Sequence, residues 1–259
     1  MYETQYHRAS STDDAVAKLS QADDGKFVSG GQTLIPTKSY FYSGYSYYYQ
    51  NKYREAIAQY EQYLEKQAGD VTLYKALADC HRRLEEREIA IRYYREGIAR
   101  HPESADLYLC LVVELQNCGE TEEAIATAKQ ASQVLPNEFI FKIEEKLLLP
   151  VLYETEEEIE YYRQRFTRGL DELIAETVLD TRSARQNALK GIGYDTNFYL
   201  PYQGKNDLEL QKKYGDLVHR IMAANYPEWI VPRPMPPLTA EGKIRIGWQR
   251  MGCGWVVGG

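Results

Sequence analysis

Apolar, aromatic and small positions along the first half of the chain return in step at an offset of 34 residues. Tyr40, Tyr74 and Tyr108 share one register, Tyr47, His81 and Leu115 another, and Tyr60, Tyr94 and Ala128 a third. Small residues keep time with them at Gly44, Ala78 and Val112 and at Ala56, Ala90 and Ala124, a small-to-medium slot holds Tyr63, Gly97 and Ala131, and Pro102 and Pro136 close two of the units. The pattern predicts three consecutive helix-turn-helix units over 37–70, 71–104 and 105–138, because two antiparallel helices that approach closely need Ala or Gly at their crossing and large side chains beside it. Asp70 and Ser104 stand where the N-caps of first helices belong, Thr121 where a second helix should be capped, and Gly119 just past a helix end. A coiled coil would need period seven instead.

A 34-residue helix-turn-helix unit with a large residue at its fourth position, small ones at its eighth and twentieth, and Pro near its end resembles the tetratricopeptide repeat. The resemblance implies a mostly α fold, a right-handed α-solenoid of helix pairs over 39–138. It also implies that the first helices line a groove able to take a protein or peptide. Phe41, Tyr45, Tyr48 and Tyr49 fall on the groove face of the first unit, either packed under the N-terminal segment as a cap or set as a stacking platform for a peptide, and Lys75, Asp79, Arg82 and Arg83 on that of the second, either a solvated charged face or a groove for an acidic or extended peptide. His81 occupies a bulky interior slot and reads as a packed histidine, although Cys80 stands beside it.

Two further helices are predicted over 137–148 and 155–173, within a segment, 139–190, that reads as a degenerate or capping helix pair of the kind solenoid ends require. The acidic run Glu154 to Glu160 sits near a helix start, where negative charge favours the helix dipole. From residue 191 to 248 the sequence NFYLPYQGKNDLELQKKYGDLVHRIM, a proline-rich stretch VPRPMPPL and KIRIGW follow one another. This connector resembles the junction between repeats and catalytic region in the SPINDLY-like O-linked N-acetylglucosamine transferases, glycosyltransferase family 41. That likeness implies an isolated strand at KIRIGW and a UDP-sugar donor, but the family's two nucleotide-binding lobes need far more chain than remains. No catalytic residue of that family has a position here, and the expected role is a recognition arm without its transferase lobes.

Residues 1–38 belong to neither pattern. Their segment GGQTL, residues Gly30, Gly31, Gln32, Thr33 and Leu34, resembles the flavin-diphosphate turn at the start of the FAD-binding medium subunit of the carbon monoxide and xanthine dehydrogenase family. The resemblance implies a small α/β fragment that would hold FAD only with the rest of its domain, so no cofactor is expected of this chain. The junction at Ser39 without a linker suggests a composite or truncated chain, and the tail over 249–259 carries no pattern.

Composition narrows the functions further. Of 259 residues, 44% are hydrophobic and 27% charged, which suits a folded chain with one or two cores. A formal net charge of -7 argues against a nucleic-acid partner, which calls for a basic footprint. The absence of a long apolar run points away from a membrane and towards the cytoplasm. The four cysteines form no metal-ligand spacing, so no metal is expected. Tyrosine is the outlier at 23 residues against 6 Phe and 3 Trp, and seven of these tyrosines stand in the repeat slots named above, Tyr40 and Tyr63 included.

Overall fold

A computed structural model of the protein describes residues 36–230 apart from 195 and 196, together with Ser10, Asp14 and Lys18. The FAD-like residues 30–34, the strand expected at 243–248 and the tail all lie outside the described residues. Within them the chain forms ten α-helices and no strand. Three pairs come first: α1 (Pro36–Tyr49) with α2 (Tyr53–Lys66), α3 (Val71–Arg83) with α4 (Arg87–Arg100), and α5 (Ala105–Asn117) with α6 (Thr121–Val134). Then follow α7 (Phe139–Leu147), α8 (Glu156–Glu176), α9 (Arg182–Ile192), a 3-10 turn (Leu200–Gln203) and α10 (Leu208–Asn225).

The helix starts keep the sequence period. α2, α4 and α6 begin at residues 53, 87 and 121, and α3, α5 and α7 at 71, 105 and 139. The turn inside each pair is built the same way three times, with Asn51, Glu85 and Gly119 in the left-handed region at φ of 59°, 63° and 84°. The residue after each donates its N–H back across the turn, Lys52 to Tyr47, Glu86 to His81 and Glu120 to Leu115 at 2.9 Å each, which closes the first helix with a six-to-one bond. Asp70 and Ser104 cap α3 and α5 by accepting the N–H of Leu73 at 2.9 Å and of Leu107 at 3.4 Å. Thr121 does not cap: Glu120 precedes α6, and Thr121 is the buried first residue of the helix, because the tight turn at Gly119 carries the chain into α6 one residue earlier than a Thr cap would need.

Each helix leans on its neighbours in sequence, α1 on α2, α3 on α4, α5 on α6, with α2 on α3 and α4 on α5 joining the pairs. The repeat slots form one core in which Ala56, Tyr60, Tyr74, Ala78, Ala90, Tyr94, Tyr108, Val112, Ala124 and Ala128 are all sealed from solvent. Tyr40, Tyr47 and Tyr63 are half-buried at its edge. Gly44 shows why its slot is small: a β-carbon there would stand 2.5 Å from the Tyr60 ring.

The segment 139–190 contains α7, α8 and most of α9. α7 is apolar on two sides, giving Ile140 and Phe141 to the repeat core and Phe139, Ile143 and Leu147 to a second core with Phe166, Leu170, Leu173, Leu200 and Ile221. It is the joint between the repeats and a terminal bundle of α8, α9 and α10. α7 and α8 meet at Gly169, where a β-carbon would run into the Lys146 carbonyl oxygen.

Candidate functional site

The first helices α1, α3 and α5 lie side by side, α1 against α3 and α3 against α5, and share one face of the stack. That face brings together the residues the sequence assigned to a groove. Its α1 edge is aromatic. Phe41 turns inward and packs on Tyr60 and Tyr63, with ring centres 5.9 and 6.2 Å away, so it supports the core. Tyr45, Tyr48 and Tyr49 stay near the surface, and Tyr49 is 60% exposed. Their rings meet edge to face, Tyr45 with Tyr49 at 4.6 Å and Tyr48 with Tyr49 at 5.7 Å, and the Tyr45 and Tyr49 hydroxyls share a 2.8 Å hydrogen bond. Edge-to-face packing holds the rings in fixed orientations.

The α3 row is charged and largely paired. Arg82 donates from Nε and Nη2 to Asp79 Oδ1 at 3.3 and 3.0 Å, and Lys75 Nζ reaches Asp106 Oδ2 on α5 at 2.9 Å. Arg83 follows Arg82 on the same helix and is exposed. Burial, reinforced by Asp79, raises the Tyr48 phenol above its usual range, so it remains a neutral donor. The expectation of a basic row is thereby refined: i,i+3 spacing and the neighbouring repeat supply a carboxylate to each of Lys75 and Arg82. On α5 the half-exposed Val113 continues the face as an aliphatic surface.

Below this face two buried polar atoms have no hydrogen-bond partner, the Tyr60 hydroxyl and His81 Nε2. The His81 ring stacks on Tyr93 at 5.3 Å, and its Nδ1 lies 2.7 Å from Glu86 Oε2, while Arg54 contacts the same carboxylate at 3.2 Å. His81 is thus packed inside the second repeat, between α3 and α4, as its interior slot implied. Burial pushes the neighbouring Cys80 thiol up to about 12, so Cys80 carries no thiolate for nucleophilic chemistry near neutral pH.

Sequence reading missed a polar cluster that anchors the connector. Arg163 on α8 donates from Nη1 to Gln203 Oε1 at 3.0 Å and Asp207 Oδ1 at 2.8 Å, and from Nη2 to the Asn206 carbonyl at 2.5 Å. Gln203 is buried and donates to the Tyr153 hydroxyl at 2.8 Å, while Gly204 makes the intervening turn at φ 66°. Beside it Phe198 and Tyr202 are 58% and 65% exposed. No local periodicity could reveal this cluster, because Arg163 lies 40 and 44 residues before Gln203 and Asp207. Among the described residues no group of three His, Cys, Asp or Glu side chains could hold a metal, and no helix is long and apolar enough to cross a membrane.

The tetratricopeptide repeat family matches residues 38–69 and 71–113. The chain therefore carries tetratricopeptide repeats in a mostly helical solenoid. None of the curated proteins matches it. Similar solved structures include YrrB, a TPR protein with an unusual peptide-binding site, at 18% identity over 58% of this chain and 73% of that one, with a TM-score of 0.39. MamA AMB-1 is similar at 19% identity over 64% and 84%, TM-score 0.43. A thermophilic TPR protein in Thermus thermophilus is similar at 20% identity over 71% and 99%, TM-score 0.35.

Proposed function

We propose that the protein is a binding scaffold whose α1, α3 and α5 face takes an extended segment of a protein partner. The observation that carries this reading is the aromatic edge of α1, where Tyr49 is 60% exposed beside Tyr45 and Tyr48, next to the paired charges Arg82–Asp79 and Lys75–Asp106. Exposed aromatics at fixed orientation offer much contact area at small ordering cost. Repeat stacks of this kind present such faces because each unit adds one first helix to a continuous surface. The test is capture of a partner by immobilised protein: the Arg82→Glu, Arg83→Glu double variant, with helicity unchanged by circular dichroism, is expected to lose the partner. Undiminished capture would remove this face as the site.

We further propose that the scaffold is the recognition arm of an O-linked N-acetylglucosamine transferase-like protein. Support comes from the connector motif over 198–207, quoted above for its likeness to that family, and from its attachment to α8 through Arg163. The chain by itself is expected neither to hydrolyse a nucleotide-sugar donor nor to purify with flavin absorbance, and either signal counts against this reading.

A further inference from the structure

The row of first helices does not end at α5. An offset of 34 carries Lys75 and Asp79 on α3 to Leu109 and Val113 on α5, and then to Ile143 and Leu147 on α7. On α3 and α5 these positions reach the surface, and Val113 is 52% exposed, whereas on α7 both are buried in the second core. α5 and α7 are neighbours, since the Tyr108 ring meets Phe141 at 6.0 Å and Gln116 Nε2 donates to the Leu149 carbonyl at 2.8 Å. α7 leans on α6 and α8, as its place in the sequence requires, and on one helix more, α9, which itself leans chiefly on α7 and α10. α9 therefore covers the side of α7 that stays open on α3 and α5. We propose that α9 is a built-in occupant of this face, and that a short amphipathic helix of a partner protein displaces it, extending the face from α5 onto α7. This goes beyond the reading above, because it concerns α7 and a helical ligand.

The contact of α9 with α7 defines the chemistry of such a ligand. A β-carbon on Gly191 would stand 2.9 Å from the Phe139 ring and 3.0 Å from the Ile140 nitrogen, so the surface of α7 takes a residue without a side chain at that point. Ala188, one turn earlier on the same side, is sealed from solvent, and Lys190 Nζ reaches Glu138 Oε2 at 3.2 Å. The fitting helix has Ala and Gly three residues apart and a cation placed for Glu138, a helix-in-groove contact. α9 is also the helix least firmly held. Ala188 and Gly191 are the buried residues among its 11, with Leu189 and Ile192 half-buried. Its ion pair with Glu138 is solvent-exposed and therefore weak. Val178 and Tyr194, on the segments that lead into and out of it, are 62% and 55% exposed and fasten neither end. A helix this short is marginal alone and depends on the surface it covers, so it should open before its neighbours. Exchange of α9 between two copies is disfavoured, because residues 177–181 tie it to α8 and span at most about 18 Å.

The experiment uses a labelled peptide of residues 180–194 as the probe, titrated by fluorescence anisotropy with the full chain and with its Ala188→Glu variant, in which a buried charge detaches α9. The variant should bind the peptide at least about tenfold tighter than the unaltered chain, whose own α9 competes for the site. A peptide carrying the same Ala188→Glu change should bind neither. Lys190→Glu acts at an exposed position and serves where Ala188→Glu does not fold; it should strengthen peptide binding about two- to fivefold. Hydrogen exchange of the unaltered chain should show amides of 182–192 exchanging at least about tenfold faster than those of α7 and α8. Equal binding of the peptide by the unaltered chain and the variants, or binding by none of them, overturns the inference. Exchange of 182–192 in step with α7 and α8 overturns it as well, since α9 would then be inseparable from the core. Self-association of the Ala188→Glu variant in place of peptide binding assigns the face to a second copy and overturns the choice of a separate partner. All of these leave the reading of α1, α3 and α5 standing, which falls by its own test if partner capture survives the Arg82→Glu, Arg83→Glu change.

Discussion

Asn51, Glu85 and Gly119 hold one left-handed turn with three different side chains, and only Gly119 does so without steric cost. A β-carbon in that conformation costs about 1–2 kcal/mol, least for Asn. Glu85→Gly is therefore expected to stabilise the protein by about 0.5–1 kcal/mol, net of the greater freedom glycine gains in the unfolded chain. Urea unfolding monitored by circular dichroism would show it as a higher midpoint with unchanged slope. Gly169 gives the opposite expectation. Its β-carbon would strike a backbone oxygen, not a side chain that can swing away, so Gly169→Ala should cost about 1–3 kcal/mol by prising α7 from α8. The cysteines differ as sharply: Cys118 is exposed, whereas the thiol of buried Cys80 is pushed up to about 12. At pH 8 a thiol reagent should modify Cys118 promptly and leave Cys80 untouched until the protein unfolds; equal rates would contradict the packing around Cys80.

At the scale of helices, the 34-residue period carried most of the architecture because each packing slot is filled by a residue whose size is visible in the sequence. Ala90 lies at the close approach of α3 and α4 and is fully sealed, so Ala90→Leu should overpack the pair and cost about 1–3 kcal/mol, read as a lower melting temperature. What the period could not show is where packing depends on distant partners. α9 has only Ala188 and Gly191 buried, too few apolar positions to mark a helix face, yet it closes against Phe139 of α7 through the missing side chain of Gly191. Thr121 looked like a cap because Thr, Ser and Asp accept N–H bonds at helix starts, but here it is the first helical residue and its burial has displaced that role. On the face shared by α1, α3 and α5, the positions of Tyr45, Tyr48 and Tyr49 were readable from the repeat register, whereas the Asp79 and Asp106 pairings needed the neighbouring turn and helix in place. The Arg163 cluster is the clearest case of information absent from local pattern. Arg163→Ala would strip Asp207 of its ion-pair partner, and leave the Gln203 carbonyl without its donor, at a site where both charges of the pair are only 14% exposed. Loss of a partner in such a buried pair costs about 3 kcal/mol. Faster amide exchange over 200–210, with the repeat helices unaffected, is the expected signature.

For the molecule as a whole, acid should act through carboxylates that the fold holds in ionised form. Hydrogen bonding from His81 lowers Glu86, bonding from Gln164 and Lys205 lowers Glu160, and Lys146 lowers Glu172, each from an ordinary value of 4.5. A carboxylate with a depressed folded pKa contributes its stability fully above the unfolded value and loses it as pH falls through the folded one. Melting temperature is therefore expected to be nearly level from neutral pH down to about 5 and to drop below about 4.5, where the unfolded chain takes up protons first. These three groups serve both halves of the molecule, Glu86 among the repeats and Glu160 and Glu172 on α8, so both should soften together.

Each repeat helix leans chiefly on its neighbours in sequence, and α1 stands at one end of that succession and the joint helix α7 at the other. In mechanical terms the stack is a spring in series. A small rotation at each interface adds to the next, so tension on the two termini is absorbed as a change of pitch before any single interface yields. A ligand lying along α1, α3 and α5 would span several coils at once and act as a splint, stiffening the protein against extension in proportion to the number of repeats it crosses.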